Sequence, residues 1–230
     1  MKKVLAAVFV LGLFANSVLA DAGFFASICT NGESDNFRQF DAMDYSRVGG
    51  SGSLGMQMAS ENSPIFIKFG AFYEQTQMFN LSEKSILGIS AGYQSVNGKS
   101  FTYSIQDSVY DFSYRLSVEG YKIPVLVYYK YQLSPRFFVK SGIGAIYVSS
   151  QWGREYNDSS TSKNEGFIMP QIDGGFDLKL SKIFTLALDL SYSFNGKKQS
   201  PYSLTAFENF KAEKDFSGFS AEFALKVYVI

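Results

Sequence analysis

The 230-residue chain has no histidine, one cysteine, five prolines and one tryptophan. Without histidine, neither a Ser-His-Asp triad nor an imidazole-based metal centre can be built. No catalytic residue, cofactor site or metal site is therefore expected. Cys29 has no intrachain disulfide partner. It follows Ile28, downstream of a better cleavage site, which argues against a lipid anchor and for a free thiol in a lightly packed N-terminal segment. Neither sign of charge dominates, with 21 basic and 21 acidic residues. Losing Lys2 and Lys3 with a leader would leave 19 against 21, about two units negative, which gives nucleic acid no basic field to bind. After the first twenty residues no apolar run reaches the roughly 20 residues a membrane helix needs. Any membrane crossing must use strands.

Those first residues, MKKVLAAVFVLGLFANSVLA, put two lysines before a short apolar core and end on small residues, the pattern of a secretory signal peptide at 1–20. Residues 21–44 are mixed and charged and are read as a lead-in, in which Phe24 to Cys29 has the makings of a further short strand. From Tyr45 to the end the dominant period is two, and 23 Phe, 15 Tyr and 20 Gly suit closely packed aromatic strands. Eight segments show the alternation: Tyr45–Met58, Pro64–Gln77, Ser85–Val96, Tyr114–Leu133, Arg136–Ser149, Phe167–Leu180, Ile183–Phe194 and Gly218–Ile230. In the seventh, Phe184, Leu186, Leu188, Leu190 and Tyr192 oppose Thr185, Asp189, Ser191 and Ser193. The fourth changes parity, from Leu116 and Val118 to Ile123, Val125 and Val127, so a bulge near Gly120 is expected, with Pro124 beside it.

Connections alternate in length. Met78–Lys84, Ser134–Pro135 and Ser181–Lys182 are short, whereas Asn97–Ser113, Gln151–Gly166 and Asn195–Ser217 are long and polar; Ala59–Ser63 is read as a short external loop. Short turns at one end and long loops at the other, around an even number of antiparallel strands, describe an eight-stranded antiparallel up-and-down transmembrane β-barrel over residues 45–230. A soluble sandwich or lipocalin-like barrel alternates too. Strand length, aromatics near strand ends and a Gly/Ser-rich inner face favour the membrane.

On that reading Lys68, Arg115, Lys130, Lys140, Lys179 and Lys226 face Glu74, Glu119, Asp173, Asp177, Asp189 and Glu222 inside a lumen too narrow for unpaired charge, forming a network that plugs it. Asp173 and Asp177, with Asp189, are also the residues best placed to hold a hard cation, although pairing with lysine is the simpler expectation. The long loops expose Trp152, Arg154, Tyr156, Tyr202, Phe207 and Phe210, candidate contacts for lipopolysaccharide, a surface ligand or a partner protein.

The stretch YKIPVLVYYKYQLSPRFFVKSGIGAIYVSS, Tyr121 to Ser150, resembles the core of the outer membrane protein β-barrel domain family. GGFDLKLSKIFTLALDLSYSF, Gly174 to Phe194, is similar to that family's next hairpin. The resemblance implies an outer-membrane location, lipid and lipopolysaccharide as surroundings, insertion by the barrel-assembly machinery, and a structural or adhesion-like role or a small conduit, without catalysis. Ile230 departs from it, being out of phase with Val229, Val227 and Leu225. Two matches to other motifs carry no chemistry. Gly88-Ile89-Ser90-Ala91-Gly92 fits a nucleophile elbow but has no histidine to serve it, and Gly50-Ser51-Gly52-Ser53-Leu54-Gly55 fits a dinucleotide fingerprint but opens no helix.

Overall fold

The computed structural model describes residues 20–30, 34–36, 53–60, 65–76, 84–106, 111–156, 159–202 and 213–229. They form twelve strands: β1 Ala20–Thr30, β2 Ser34–Asn36, β3 Ser53–Ser60, β4 Ile65–Thr76, β5 Ser85–Gln106, β6 Asp111–Ser134, β7 Phe137–Tyr156, β8 Ser159–Lys179, β9 Phe184–Ser193, β10 Lys197–Gln199, β11 Glu213–Asp215 and β12 Gly218–Val229. Eight of these close a ring in the order β1-β4-β5-β6-β7-β8-β9-β12, and every neighbouring pair is antiparallel. β1 seals it, pairing Phe24 with Val227 on one side and with Ala71 on the other.

The expected first strand, Tyr45–Met58, does not occupy that place. The segment read as lead-in supplies it, through a strand that contains and extends the short one expected over Phe24 to Cys29, and Cys29 is buried in the wall rather than lightly packed. Period two is masked there because apolar residues fall on both faces: Phe24 and Ile28 point out, Phe25 and Cys29 point in. Within 45–58, residues Ser53 onward form β3, which pairs with the far end of β5 outside the ring. The other residues of the Gly50–Gly55 motif before Ser53 lie outside the described residues, as do 1–19 of the leader and Ile230.

The faces are inverted relative to a soluble barrel. Ile67, Ile143 and Ile168 are about 70% exposed (70%, 71% and 69%), while Lys130 and Asp177 are 2% and 0% exposed. An apolar outer wall around a charged interior is the organisation of a transmembrane barrel, so the soluble alternative has the faces the wrong way round. Outward aromatics mark both rims, Phe69, Tyr93 and Tyr121 in sequence across three strands with ring centroids 5.4 and 5.6 Å apart, and Phe137 with Phe176 at 5.9 Å near the turns. Both chain ends of the ring and the short turns share one end. Ser181 closes the β8–β9 turn by accepting from the amides of Ile183 and Phe184.

The opposite end differs from expectation. Asn97–Ser113 and Gln151–Gly166 are not open loops: β5 and β6 stay paired to Gln106↔Asp111, and β7 and β8 to Tyr156↔Ser159. The ten residues of β5 beyond Val96 correspond to roughly 30 Å of strand. Asn195–Ser217 contributes β10 and β11, which form a small sheet with β2, so the first connection is far longer than Ala59–Ser63. The bulge lies in β5, between Val96 and Lys99, while β6 runs opposite β7 without a break from Tyr114 to Gln132. The β5–β6 ladder skips Pro124 and Ile123 with no change of register, as the missing proline donor requires.

Candidate functional site: charged lumen and capped mouth

Because side chains alternate across a strand, the even residues of β6 and β7 and the odd residues of β8 and β9 converge inside the ring. At the turn end Glu74, Lys130, Asp177 and Lys226 form one cluster. Lys130 Nζ stands 2.5 Å from Glu74 Oε1 and also contacts Asp177, while Lys226 donates to both Asp177 oxygens at 3.0 and 2.9 Å. Tyr128 and Tyr228 donate their hydroxyls to Glu74 at 2.7 and 3.2 Å. The Tyr128 ring has the ammonium groups of Lys130, Lys140 and Lys226 at 5.6, 5.3 and 5.7 Å, a cation–π hub. Gly88 exists to admit that ring: a Cβ there would fall against Tyr128, its hydroxyl 2.7 Å away. The glycines and Ser90 of the elbow-like sequence are thus lumen packing, and Ser90 lines a cavity with Tyr128.

Higher up, Lys140 contacts Asp189 Oδ2 at 2.6 Å and Asp173 Oδ1 at 3.1 Å, and Lys68 donates to Glu222 at 2.6 Å. Two cavities remain near these groups, each about 30 Å³ and so each about the size of one water. They share Lys68, Pro124, Gln171 and Glu222 as lining residues.

Of the charges read as luminal, Lys68, Glu74, Lys130, Lys140, Asp173, Asp177, Asp189, Glu222 and Lys226 come together in these clusters. Arg115 and Glu119 do not. Arg115 pairs with Glu155 at 3.6 Å, both half-exposed on the projecting hairpins, and Glu119 is exposed on the outer face. Lys179 stands at the turn end of β8. Missed by the sequence reading were Tyr128, Tyr228 and Lys122, whose even parity already placed them inside.

Above the charges lies a second, apolar interior. Val118 and Trp152 face one another across β6 and β7, both fully buried, with Leu116, Val148, Met169 and Phe216 also buried. Trp152 was expected on an exposed loop; paired strands turn it inward. Phe216 reaches this interior from the connection before β12. Its amide donates to the Gly196 carbonyl at 3.1 Å, its ring meets Phe167 edge-on at 5.4 Å, and its carbonyl accepts from Lys122 Nζ at 3.0 Å. Lys198 lies 4.5 Å over the Phe167 ring and Arg154 5.1 Å over Tyr202, tying the cap to the projecting strands. Two of the loop contacts, Arg154 and Tyr202, therefore engage each other. Tyr156 ends β7 and nothing further is described of its side chain, and Phe207 and Phe210 lie outside the described residues.

No family model matches the chain, and no curated protein matches it. Among solved structures it is similar to Ail, the attachment invasion locus protein of Yersinia pestis, at 8% identity over 92% of this chain and 100% of that one, with a TM-score of 0.46. The outer membrane protein OprG from Pseudomonas aeruginosa matches at 11% identity over 92% and 96%, with a TM-score of 0.49. Neisserial surface protein A matches at 13% identity over 91% and 97%, with a TM-score of 0.32. The fold assignment rests on the closed ring of eight strands and its inverted faces.

Proposed function

We propose that this protein is a non-enzymatic outer-membrane barrel whose lumen does not conduct and whose projecting sheet presents a recognition surface outside the cell. The observation that carries this reading is the unequal strand length. β5 to β8 have 22, 24, 20 and 21 residues where β4, β9 and β12 have 12, 10 and 12, and the excess is stiffened by its own buried apolar interior. Such an extension adds nothing to the membrane wall, whereas a rigid scaffold for exposed side chains suits binding. The leader-like N-terminus supports export. The apolar outer wall supports lipid and lipopolysaccharide as surroundings, with delivery by the barrel-assembly machinery. Lumen charges locked in pairs around water-sized spaces support a closed interior.

The test is made on intact cells and on purified protein. Protease added outside is expected to cut the connections around residues 107–110 and 157–158, the protein to migrate as a compact species in detergent until boiled, and planar bilayers to stay silent. Cleavage only after the outer membrane is opened would reverse the topology. Stable unitary conductance would favour the rival conduit, which draws support from the two luminal cavities sharing four lining residues.

A further inference from the structure

The outer face of the projecting sheet is hollowed just above the aromatic rim. Across β6, β7 and β8 the pairings Glu119↔Gln151↔Asn164 and Tyr121↔Ser149↔Gly166 set two rows of outward residues, one above the other. All of these except Gly166, together with Val96 and Gly120, line a cavity of about 690 Å³ beside the bulge of β5. The luminal cavities hold about 30 Å³ each, whereas small-molecule sites run from roughly 300 to 1,000 Å³. A Cβ on Gly166 would stand 2.6 Å from the Tyr147 hydroxyl, so this phenol rises from the row beneath to the border of the hollow. Height fixes what reaches it. Tyr121 stacks on Tyr93 in the rim at 5.6 Å, and the row beneath, Ile123, Tyr147 and Ile168, belongs to the lipid-facing wall, with Ile168 69% exposed. The cavity therefore stands where hydrocarbon gives way to headgroups.

The lining selects among headgroups. Gln151 and Asn164 each offer an amide that both donates and accepts, Ser149 a hydroxyl, Glu119 a carboxylate, and Tyr121 an apolar ring with a polar tip. Among the described residues the side chains of Glu119, Gln151 and Asn164 have no hydrogen-bond or ionic partner, and three paired strands hold them in a row at steps of about 4.8 Å. No cation lines the cavity among those residues: Lys163 lies on the opposite face, 3.7 Å from Glu165, and Arg115 is engaged with Glu155. Glu119 therefore repels a phosphate with nothing to offset it, and an acyl chain would cover three polar groups without pairing them. A sugar ring meets both demands, with its hydroxyls on the amides and the carboxylate and its C–H face on Tyr121.

We propose that Glu119, Tyr121, Ser149, Gln151 and Asn164 bind the sugar ring of an outer-leaflet glycolipid. The site rests on the reading that the projecting sheet lies outside the cell, and it gives that sheet a ligand class. The test uses isotope-labelled wild-type protein in phosphatidylcholine nanodiscs. The side-chain amide resonances of Gln151 and Asn164 are expected to shift saturably when glucosyl diacylglycerol, a sugar on two chains without phosphate, is added, and to stay in place with phosphatidic acid. Gln151→Leu, outward and above the membrane edge, should fold and weaken the binding read at the Asn164 amide about tenfold, the loss of one hydrogen bond. No shift with the glycolipid, an equal shift with phosphatidic acid, or unchanged binding in Gln151→Leu would overturn the site. The same shifts with soluble maltose in place of the glycolipid would mean a free glycan and overturn the membrane source. Protease on intact cells keeps the two failures apart: external cleavage with no glycolipid shift sinks this site alone, and cleavage only after the outer membrane is opened sinks the cell-surface reading whatever the resonances do.

Discussion

The two halves of β6 obey one geometry and opposite chemistries. From Lys122 to Lys130 its inward residues include two lysines and its outward residues are Ile123, Val125, Val127 and Tyr129. From Arg115 to Gly120 the inward residues are Leu116 and Val118 and the outward ones include Arg115 and Glu119. Parity never slips, yet the hydrophobic face changes sides near Gly120. β7 does the same, with Lys140 inside and Ile143 outside below, and Trp152 inside and Gln151 outside above. The backbone does not change where this happens; the solvent does. Below the boundary the wall meets hydrocarbon and charge retreats into the lumen, and above it the wall meets water and apolar side chains retreat instead.

This contrast can be broken from either side. The largest effect is expected at Lys130, whose removal as Lys130→Met leaves Glu74 and Asp177 short of a buried partner and should cost about 3–5 kcal/mol in urea unfolding from lipid vesicles. A loss below 1 kcal/mol would mean that water already screens the cluster. Trp152→Ala, in the upper interior, should also cost about 3–5 kcal/mol, but as local opening: amide exchange should quicken in β6 to β8 above residue 120 while heat-modifiability survives. If the whole barrel unfolds together, the two interiors are one cooperative unit.

Leu188→Arg places charge on the outer wall between Phe176 and Phe223 and should cost about 2–4 kcal/mol of folding into vesicles, whereas Gln151→Arg, outward but above the boundary, should fold like wild type. Equal behaviour of the pair would misplace the membrane edge. Smallest is Arg115→Met, which deletes an exposed partner of Glu155 and is expected to change stability by about 0–1 kcal/mol, against the several expected for Lys130 on the same strand.

The solvent switch also explains the misreadings. An apolar set that changes from even to odd residues looks like a bulge when a single solvent is assumed, and the same assumption made Arg115 and Glu119 luminal. The place of β1 in the wall was obscured by Phe24 and Phe25 lying on opposite faces, both apolar for different reasons: one meets lipid, the other packs beneath Lys68 at 5.4 Å. Long polar connections looked like loops because paired strands wet on their outer face carry loop-like composition.

Alternation over β4 to β9 and β12, together with short turns, determined by itself that this chain forms an antiparallel barrel and which side chains look inward, since a period of two leaves each residue only two directions. Most of the inward lysines and carboxylates were equally legible, although Lys122 was missed and Arg115 and Glu119 were wrongly included. Their partners were not, because Lys68 and Glu222 are 154 positions apart and Lys226 and Asp177 are 49, and only the radius, tilt and closure of the ring decide which inward side chains meet. Closure likewise decided that Ala20–Thr30, rather than Tyr45–Met58, completes the wall: a ring admits the strand whose two edges fit β12 and β4 at once, a condition no local stretch of sequence expresses.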